Sequence, residues 1–303
     1  MTGGAGFLGA RLVRRLAVEG RAPHVLLRRT TDPWRLAGLE GRCTVHACDL
    51  SDPEAVAAAM RAVRPRTVFH VAATGSYGND DWGRLFADNP LASFHILDAC
   101  AGLPECRVVH SCSSLEPGPR PAPIRESDPF RPRTPYGVAK AAATLLARLA
   151  AGLGCDVVML RPFAIYGPGE PARRLIPTAI RAALDGTPFR LTAPGFTRDL
   201  VFVEDVVDAY LAAAHAPGVA GQLINIGTGR ATPNEEVVRL VASVVGRPIT
   251  LHPEPFPARD TDTAVWCADV TKARDLLGWS PAHSLEQGLA RTVAAFREAR
   301  HDA

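Results

Sequence analysis

The first half of the chain alternates short apolar runs with stretches whose apolar residues recur at helical spacing. Within residues 8–19, Leu8, Leu12, Val13 and Leu16 fall on one helical face, and Gly20 follows as a stop signal. Apolar residues in the short runs do not alternate strictly with polar ones, which is typical of strands covered on both faces. We predict strands over 24–27, 43–47, 67–71, 107–110 and 157–160, and further helices over 53–63, 90–101 and 136–151. This order indicates an α/β fold in which helices cover a parallel sheet.

After residue 165 the pattern of the chain changes. Segments rich in proline and glycine, at 166–171, 192–196 and 252–257, separate shorter elements. Open α/β sheets bind ligands beyond the carboxyl ends of their strands, and we expect a smaller, irregular lobe to lie over that edge.

Composition narrows the class of protein. With 47% hydrophobic and 21% charged residues among 303, the chain is ordinary for a globular protein, and global disorder is not expected. The formal charge of +3 is too small to indicate a nucleic-acid partner. No apolar run of about 18 residues predicts a membrane span, and no signal-peptide pattern is visible. The seven cysteines show no CxxC spacing, which favours reduced thiols in a cytoplasmic protein and predicts no zinc or other metal site.

A glycine-rich turn opens the chain with the sequence TGGAGFLG at residues 2–9. Gly3, Gly6 and Gly9 permit a tight turn, and their missing Cβ atoms let backbone amides approach a pyrophosphate. The following helix presents unpaired N–H groups and a positive dipole end to a phosphate. A glycine triplet alone is a weak signal that a simple turn also explains. Because an amphipathic helix and then a strand follow this one, we predict a dinucleotide-binding site.

The strand that normally precedes such a turn is not visible, because only Met1 stands before Thr2. We expect the central strand of the sheet to be missing or very short. A start site assigned too late, or a trimmed chain, is the preferred explanation. If the protein does begin at Met1, its stability is expected to suffer.

The end of the strand at 24–27 bears on the choice of cofactor. NAD-binding sites place an acidic residue about 20 positions beyond the glycines, where it binds the ribose 2′-hydroxyl. Here Arg28 and Arg29 follow the strand, and two guanidiniums suit the 2′-phosphate of NADP(H). They could also be surface arginines, and Asp32 could still serve a 2′-hydroxyl. The sequence therefore favours NADP(H) and leaves NAD(H) open. Asp49 could contact the adenine edge or serve only as a turn residue.

Tyr136 and Lys140 stand four residues apart in YGVAK, one above the other on a helix face. A lysine ammonium about 4 Å from a phenol would favour the phenolate by ~4 kcal/mol at an effective dielectric constant of about 20, or roughly three pKa units. Such a phenol suits general acid–base catalysis. A YxxxK match alone is common. It becomes persuasive beside the serine-rich strand end at 111–114, where a hydroxyl can bind the substrate oxygen that Tyr136 protonates.

Other catalytic chemistries fit the sequence less well. A Ser-His-Asp hydrolase is not indicated, because no GxSxG turn is present. His110 lies within an apolar strand, where a core histidine with satisfied ring nitrogens is the better interpretation. The apolar strand around Cys112 likewise indicates an inert thiol.

Eight segments carry a resemblance to a known family. They are TGGAGFLG (2–9), DL (49–50), HVAA (70–73), YGVAK (136–140), LRPFAIYGPG (160–169), RDLVFVEDV (198–206), INIGTG (224–229) and ADVTKARDLLGWSP (268–281). In these segments, and over essentially its whole length, the chain resembles the extended short-chain dehydrogenase/reductases, which include nucleotide-sugar epimerases, dehydratases and ketoreductases. The resemblance implies a Rossmann-type doubly wound parallel sheet, a smaller mixed α/β substrate lobe and, commonly, a homodimer.

The resemblance also implies roles for particular residues. Ser113 matches the catalytic serine or threonine, with Ser114 as the fallback. Arg198 and Arg259 match arginines that hold a sugar-nucleotide pyrophosphate, although either could instead form a structural ion pair. The predicted cofactor-binding residues are Gly3, Gly6, Phe7, Leu8, Gly9, Arg28, Arg29, Asp49, Leu50, Ala72, Ala73, Tyr136, Lys140 and Phe163. We predict a dinucleotide-binding domain of residues 1–165 plus about 201–228, and a substrate-binding lobe of residues 166–200 plus 229–303.

Departures from the family pattern refine the expected reaction. The dehydratases carry an Asp-Glu pair directly after the catalytic threonine, whereas here Ser114 and Leu115 occupy those positions and Glu116 is displaced, which disfavours dehydration. Epimerases that hold NAD usually have an aspartate where Arg28 stands, and Ala164 replaces an asparagine that many relatives aim at the diphosphate. The segments SSLEPG, RRLIPT and RDLVFVEDV look more like those of the 4-ketoreductases of deoxysugar pathways.

We therefore expect NADPH-dependent reduction of a nucleotide-linked 4-keto-6-deoxyhexose, in a cytoplasmic protein without nucleic-acid or membrane partners. An NAD-dependent 4-epimerase of a UDP-hexose or UDP-hexuronic acid is the alternative. A non-catalytic dinucleotide-binding protein is the third interpretation.

Overall fold

Helices and strands alternate through the part of the chain that the structure describes, which in this computed structural model is residues 1–75, 81–103, 105–258 and 262–301. The strands are β1 (His24–Leu27), β2 (Thr44–Ala47), β3 (Thr67–His70), β4 (Arg107–Ser111), β5 (Val157–Pro162), β6 (Ala164–Tyr166), β7 (Thr197–Arg198), β8 (Leu200–Phe202), β9 (Leu223–Ile226) and β10 (Thr232–Pro233). The helices are α1 (Phe7–Val18), α2 (Pro53–Val63), α3 (Trp82–Phe86), α4 (Ala92–Ala101), α5 (Pro135–Gly152), α6 (Leu175–Asp185), α7 (Val203–His215), α8 (Asn234–Val245), α9 (Thr271–Leu277) and α10 (Leu285–His301). A 3-10 turn covers Trp34–Leu36, and a π-helical turn covers Ala87–Leu91, directly ahead of α4.

A parallel sheet forms the centre of the molecule. Strands β3, β4, β5 and β9 pair in parallel in that order, and β1 pairs with β2 in parallel. Thr2 joins the two groups, because this one residue bridges in parallel to Leu26 on one side and to His70 on the other. The central place in the sheet is therefore held by a single paired residue, as expected of a missing or very short strand.

Helices cover both faces of this sheet, which makes it doubly wound. On one face, Leu12 of α1 and Tyr210 of α7 pack into the core of the sheet. On the other face, Ile96 of α4 and Ala147 of α5 do the same. The predicted α/β fold with a Rossmann-type parallel sheet is confirmed. Within the described ranges, no helix combines the length and the apolar character that crossing a membrane requires.

The predicted element boundaries in the first half of the chain hold to within two residues. Strand β1 and helix α2 begin and end where predicted, whereas β5 runs two residues further, to Pro162. The helix predicted over 90–101 begins at Ala92, because Pro90 lies in the π-helical turn. Helix α5 begins after Thr134, whose Oγ1 accepts a hydrogen bond from the Gly137 amide and caps the helix.

The remaining elements pack around a second core. Strand β6 pairs with β8 in parallel, and β7 pairs with β10 in antiparallel fashion. Ile180 of α6, Val241 of α8 and Val293 of α10 meet in this core. The expectation of shorter elements holds for β6, β7, β8 and β10, which have two or three residues each, but not for these three helices, which are 11, 12 and 17 residues long. Ala273 of α9 and Trp279 pack instead into the core of the large sheet, and the predicted division into two domains stays a prediction.

A cleft of about 480 Å³ opens beside Met1, between β1 and β3. Leu16 and Leu211 line it from one face of the sheet, and Ile96 lines it from the other. The Met1 amino group donates a hydrogen bond to the His24 carbonyl at 2.7 Å, and burial lowers the pKa of this amino group to about 6. The residues that line this cleft are those that a further strand between β1 and β3 would contact.

Four apolar residues added before Met1, such as Val-Ile-Val-Val, are expected to raise the melting temperature of the printed chain by at least about 2 °C. An extended segment there can continue the pairing of Met1 and Thr2 with Leu26 and Phe69. Burial of each added Val or Ile side chain stabilises the folded state by roughly 1.5–3 kcal/mol. The conformational entropy lost when the added backbone is ordered offsets about 1–2 kcal/mol of this per residue. Calorimetry measures the shift, with a Gly-Ser-Gly-Ser extension as the control. Equal melting temperatures for the two extensions would contradict this prediction.

Candidate active site

The glycine-rich turn forms a cradle ahead of α1. Gly3 has a φ of 67°, and a Cβ there would lie 2.6 Å from the Ala72 backbone nitrogen. A Cβ on Gly9 would lie 2.0 Å from the Gly3 carbonyl oxygen, so neither position admits a side chain. A Cβ on Gly6 would meet only the Gly3 oxygen among the described atoms within 4 Å, and it would otherwise project into open space. Because the first amides of a helix need partners, the open space at the start of α1 fits the pyrophosphate of a dinucleotide.

Replacing Gly6 with alanine is expected to weaken dinucleotide binding by at least about tenfold, because the added methyl group occupies the space that a phosphate would approach. The free energy of unfolding should fall by only about 1 kcal/mol, because a helix N-cap prefers glycine to alanine and the added Cβ would lie 3.1 Å from the Gly3 oxygen. Titration of the protein with NADH and NADPH by calorimetry measures the affinity. Gly152→Ala in α5 is the matched control, because a Cβ there meets no described atom within 4 Å. Equal dinucleotide affinities for the two variants would contradict the assignment.

A cavity of about 350 Å³ lies between the carboxyl ends of the central strands and the second core. Ser113, Ser114 and Tyr136 line it together. Phe7 and Leu8, the first residues of α1, reach the same space, so the glycine turn and the Ser-Tyr cluster open into one cavity. Other predicted site residues that line it are Ala73, Phe163 and Arg198.

Lys140 lies one helical turn beyond Tyr136 on α5. Its side chain is 2% exposed, and Nζ donates a hydrogen bond at 2.6 Å to the carbonyl of Ser111, a residue that lines the cavity. Burial lowers the pKa of the Lys140 ammonium, while Cys112 and Glu116 act in the opposite direction. The ammonium is therefore anchored to the strand end that carries the serines.

A buried carboxyl group holds the turn that carries Ser113. Oε1 of the fully buried Glu116 accepts hydrogen bonds from the Ser113 amide at 2.7 Å and from Thr144 Oγ1 at 2.9 Å. Oε2 of Glu116 lies 3.4 Å from Nη2 of Arg161, which is also fully buried. Ser113 Oγ accepts a hydrogen bond from the Leu115 amide at 3.2 Å. These contacts tie both the backbone and the hydroxyl of Ser113 to a rigid interior.

Cationic side chains lie at another part of the cavity. Arg173 and Arg198 line it together with Trp266. Arg198 forms an ion pair with Asp262, and its guanidinium carbon lies 5.9 Å from the centre of the Trp266 ring. Arg259, the second arginine expected to bind pyrophosphate, lies outside the described residues, and its role stays a prediction.

The residues predicted to bind the adenosine end of the cofactor lie beyond β1 and β2. Arg28 Nη1 lies 3.1 and 3.0 Å from the two carboxylate oxygens of Asp88, so this guanidinium already faces an anion. Arg29 is exposed. Asp49 accepts hydrogen bonds from the amide and hydroxyl of Ser51, which is the turn role that the sequence left open for it. Its contact with adenine stays a prediction.

The two side chains named for other chemistries are buried. Neither ring nitrogen of His110 has a hydrogen-bond partner among the described residues, so the expectation of a satisfied histidine is wrong. The ring lies 5.3 Å from that of His70, and burial lowers the pKa of both imidazoles, in His70 to about 3. Burial also raises the pKa of the Cys112 thiol to about 12, in agreement with an inert cysteine.

The structure brings to the site several residues that the sequence did not single out. They are Asp88, Arg161, Arg173, Arg174, Asp262 and Trp266. Most lie in loops or turns without a periodic pattern. Arg161 could have been noticed, because an arginine inside the apolar run of β5 requires a buried acidic partner.

Comparison with known proteins identifies the family. The sequence profile of the NAD dependent epimerase/dehydratase family matches residues 1–227. A UDP-glucose 4-epimerase of Mycolicibacterium smegmatis is 30% identical, over 98% of this chain and 97% of that protein. A dTDP-6-deoxy-L-talose 4-dehydrogenase (NAD(P)(+)) of Kitasatospora kifunensis is 32% identical, over 95% of this chain and 92% of that protein. The structure of MoeE5 in complex with UDP-glucuronic acid and NAD superposes with a TM-score of 0.87 at 33% identity, over 98% of each chain. The chain therefore belongs to the NAD dependent epimerase/dehydratase family, whose members are extended short-chain dehydrogenase/reductases.

Proposed function

We propose that this enzyme interconverts the C4 epimers of a nucleotide-linked hexose or hexuronic acid, with NAD(H) held at the glycine turn. The observation that carries the proposal is the single cavity in which Ser113 and Tyr136 lie beside the start of α1, together with Arg173 and Arg198. A nucleotide sugar fits this arrangement, with its hexose beside the phenol and its diphosphate at the arginines. The similarity to a UDP-glucose 4-epimerase and to MoeE5, which was solved with UDP-glucuronic acid and NAD, supports this substrate class.

The side chains of this protein would handle the proton of the reaction. When bound, the nicotinamide ring supplies hydride chemistry at the sugar C4. Tyr136 would take the proton of the C4 hydroxyl through its phenolate oxygen and later return it, while Ser113 Oγ hydrogen-bonds to the same sugar oxygen. A Lys140 ammonium close to the phenol would favour its phenolate form. Arg173 and Arg198 would keep the diphosphate bound while the hexose turns.

NAD(H) takes the place of NADP(H), the cofactor that the sequence favours, in this proposal. Arg28 is paired with Asp88 and not held out toward a phosphate. MoeE5, which is 33% identical to this chain, was solved with NAD. The affinities for the two cofactors are the direct measurement of this choice.

Dehydration fits the site poorly, as the sequence already indicates. Glu116 is fully buried, is not part of the cavity lining and accepts hydrogen bonds from the Ser113 turn. Burial raises the pKa of its carboxyl group, and Arg161 opposes that shift. A carboxyl group committed in this way does not reach the sugar.

Reduction of a nucleotide-linked 4-keto-6-deoxyhexose is the second candidate. The 32% identity with a dTDP-6-deoxy-L-talose 4-dehydrogenase supports it. The same residues would serve, with Tyr136 giving its proton to the keto oxygen.

One experiment distinguishes C4 epimerisation from reduction of a 4-keto sugar. The purified protein is incubated with UDP-glucose and with UDP-glucuronic acid in the presence of trace NAD. Epimerisation should yield the C4 epimers by nuclear magnetic resonance without net change in nicotinamide absorbance. Reduction should instead consume NADH or NADPH stoichiometrically, and only with a 4-keto sugar nucleotide. If the protein binds a dinucleotide but turns over neither substrate class, both candidates fail.

We also propose that two copies associate through α4 and α5. Phe94 of α4, Leu145 and Leu149 of α5, and Leu153 directly after α5 are 47%, 54%, 60% and 75% exposed. Phe94, Leu149 and Leu153 border one groove between these helices. Two-fold pairing of the helices would bury this apolar stripe, which supports the predicted homodimer.

Leu149→Glu is expected to raise the dissociation constant of this dimer by at least about thirtyfold, because a charge would enter an apolar interface. Sedimentation equilibrium of the unmodified and variant chains measures the constant. Val18→Glu is the matched control, since Val18 is 72% exposed on α1, away from the stripe. An unmodified chain that sediments as a monomer at micromolar concentration would contradict the proposal.

A further inference from the structure

We propose that Asp88 sets the cofactor preference, by making the ribose end of the site accept the 2′-hydroxyl of NAD(H) and reject the 2′-phosphate of NADP(H). The inference rests on the dinucleotide site of the proposed function. In NAD-binding Rossmann folds an acidic residue near the end of the strand that follows the glycine turn binds the ribose hydroxyl. Here that strand, β1, is followed by Arg28, and the carboxylate reaches the same place from a distant part of the chain.

The pair between Arg28 and Asp88 is close and partly shielded from solvent. Nη1 of Arg28 lies 3.1 and 3.0 Å from the two carboxylate oxygens, across 60 residues of sequence. The Asp88 side chain is 12% exposed and that of Arg28 is 32% exposed. Arg84 approaches the same carboxylate with Nε at 3.5 Å. The charge of Arg28, which would suit a 2′-phosphate, is thus already balanced by an anion.

The backbone places Asp88 there through the π-helical turn over Ala87–Leu91. Such turns are rare and occur mostly as single insertions, frequently at functional sites. The next residue, Asn89, is 1% exposed, and its Nδ2 donates hydrogen bonds to the carbonyls of Thr74 and Leu85 at 3.0 and 2.7 Å. Because Asn89 is tied to the segment that follows β3, its neighbour Asp88 is held over the end of β1.

Charge decides which ribose substituent this arrangement accepts. A phosphate monoester carries nearly two negative charges at neutral pH, and beside Asp88 it would face a carboxylate whose arginine partner is already engaged. A hydroxyl can instead donate a charge-assisted hydrogen bond to that carboxylate. Loss of the carboxylate should therefore remove repulsion and release Arg28 to bind a phosphate in the bidentate geometry that arginine favours.

Calorimetric titration of the full chain with NADH and with NADPH tests this inference. The unmodified protein should bind NADH more tightly. Asp88→Asn should lower the ratio of the NADPH dissociation constant to the NADH dissociation constant by at least about tenfold. Adding Arg28→Gln to that variant should cancel the gain, because the released guanidinium is then absent. Asp98→Asn on the exposed side of α4 is the control for the loss of one negative charge.

The outcomes separate this inference from the proposed function. An unmodified chain that binds NADPH more tightly than NADH overturns the role of Asp88 and leaves the dinucleotide site standing. The same holds if Asp88→Asn changes the ratio no more than Asp98→Asn does. A folded chain that binds neither dinucleotide overturns the proposed function, and this inference with it.

Discussion

Tyr136→Phe is expected to lower the rate of epimerisation by about 10³-fold, because the proton of the sugar hydroxyl then has no base to receive it. Affinity for NADH and for the nucleotide sugar should change by less than about threefold, since the ring and its place on α5 are retained. Loss of kcat with nearly unchanged binding is the signature of a group that acts only in the chemical step. Single-turnover measurements with saturating UDP-sugar give the rate, and titration of the same variant gives the affinities.

Tyr166→Phe is the matched control for this substitution. The Tyr166 hydroxyl donates a hydrogen bond to the Leu285 carbonyl at 3.2 Å within the second core, and Tyr166 does not line the cavity. Its loss should cost about 1 kcal/mol of stability and leave the rate within about threefold. A Tyr136→Phe variant that retains more than about a tenth of the activity would remove the central support for the proposed acid–base role.

Arg161→Met is expected to lower the free energy of unfolding by about 3–5 kcal/mol, because it leaves the buried carboxyl group of Glu116 without its cationic partner. The double variant with Glu116→Leu should regain part of that loss, since apolar side chains can replace a buried ion pair, although the Ser113 amide and the Thr144 hydroxyl then lose their acceptor. Denaturant unfolding of the two single variants and the double variant measures the coupling between them. Additive losses would show that the pair does not act as a unit.

The pH dependence of the Arg161→Met variant follows from the same carboxyl group. Burial already raises the pKa of Glu116 in the folded protein, and Arg161 opposes that rise. Without the guanidinium, the folded state keeps a proton on Glu116 at pH values where the unfolded state, with a glutamate pKa of about 4.3, has released it. Stability of the variant should therefore fall as pH rises above that value. Its deficit relative to the unmodified protein should be smaller near pH 5 than near pH 8.

Local sequence determined the elements that carry the site. The apolar run of β5 and the Thr-Pro start of α5 predict their structures because backbone preference and the spacing of apolar residues depend on near neighbours. The glycine turn is only partly local, since a Cβ at Gly9 would strike the nearby Gly3 carbonyl, whereas a Cβ at Gly3 would strike the distant backbone of Val71 and Ala72 just beyond β3. The structure brings Ser113 and Tyr136 into one cavity, and their catalytic roles stay predictions.

The packing of the second core could not be predicted from the local sequence pattern. Its proline- and glycine-rich segments suggested irregular structure, but these segments lie between regular elements: 166–171 leads from β6 towards α6, 192–196 lies between α6 and β7, and 252–257 lies between α8 and α9. Each helix has an apolar face, and only the assembled core shows that the faces meet. Likewise, nothing in the sequence near His110 shows whether its ring nitrogens have partners, because those partners would come from other elements.

The sequence by itself determined the strands and helices of the parallel fold, the position of the glycine turn and the order of the predicted catalytic residues, since each is recognised from residues that are close along the chain. Only the tertiary structure decided that Asp88 meets Arg28 across 60 residues and that Glu116 holds the Ser113 turn against Arg161 across 45. Charged groups so far apart in sequence meet only when the whole chain has folded. Their pairing determines how much of a cation's charge remains for a ligand.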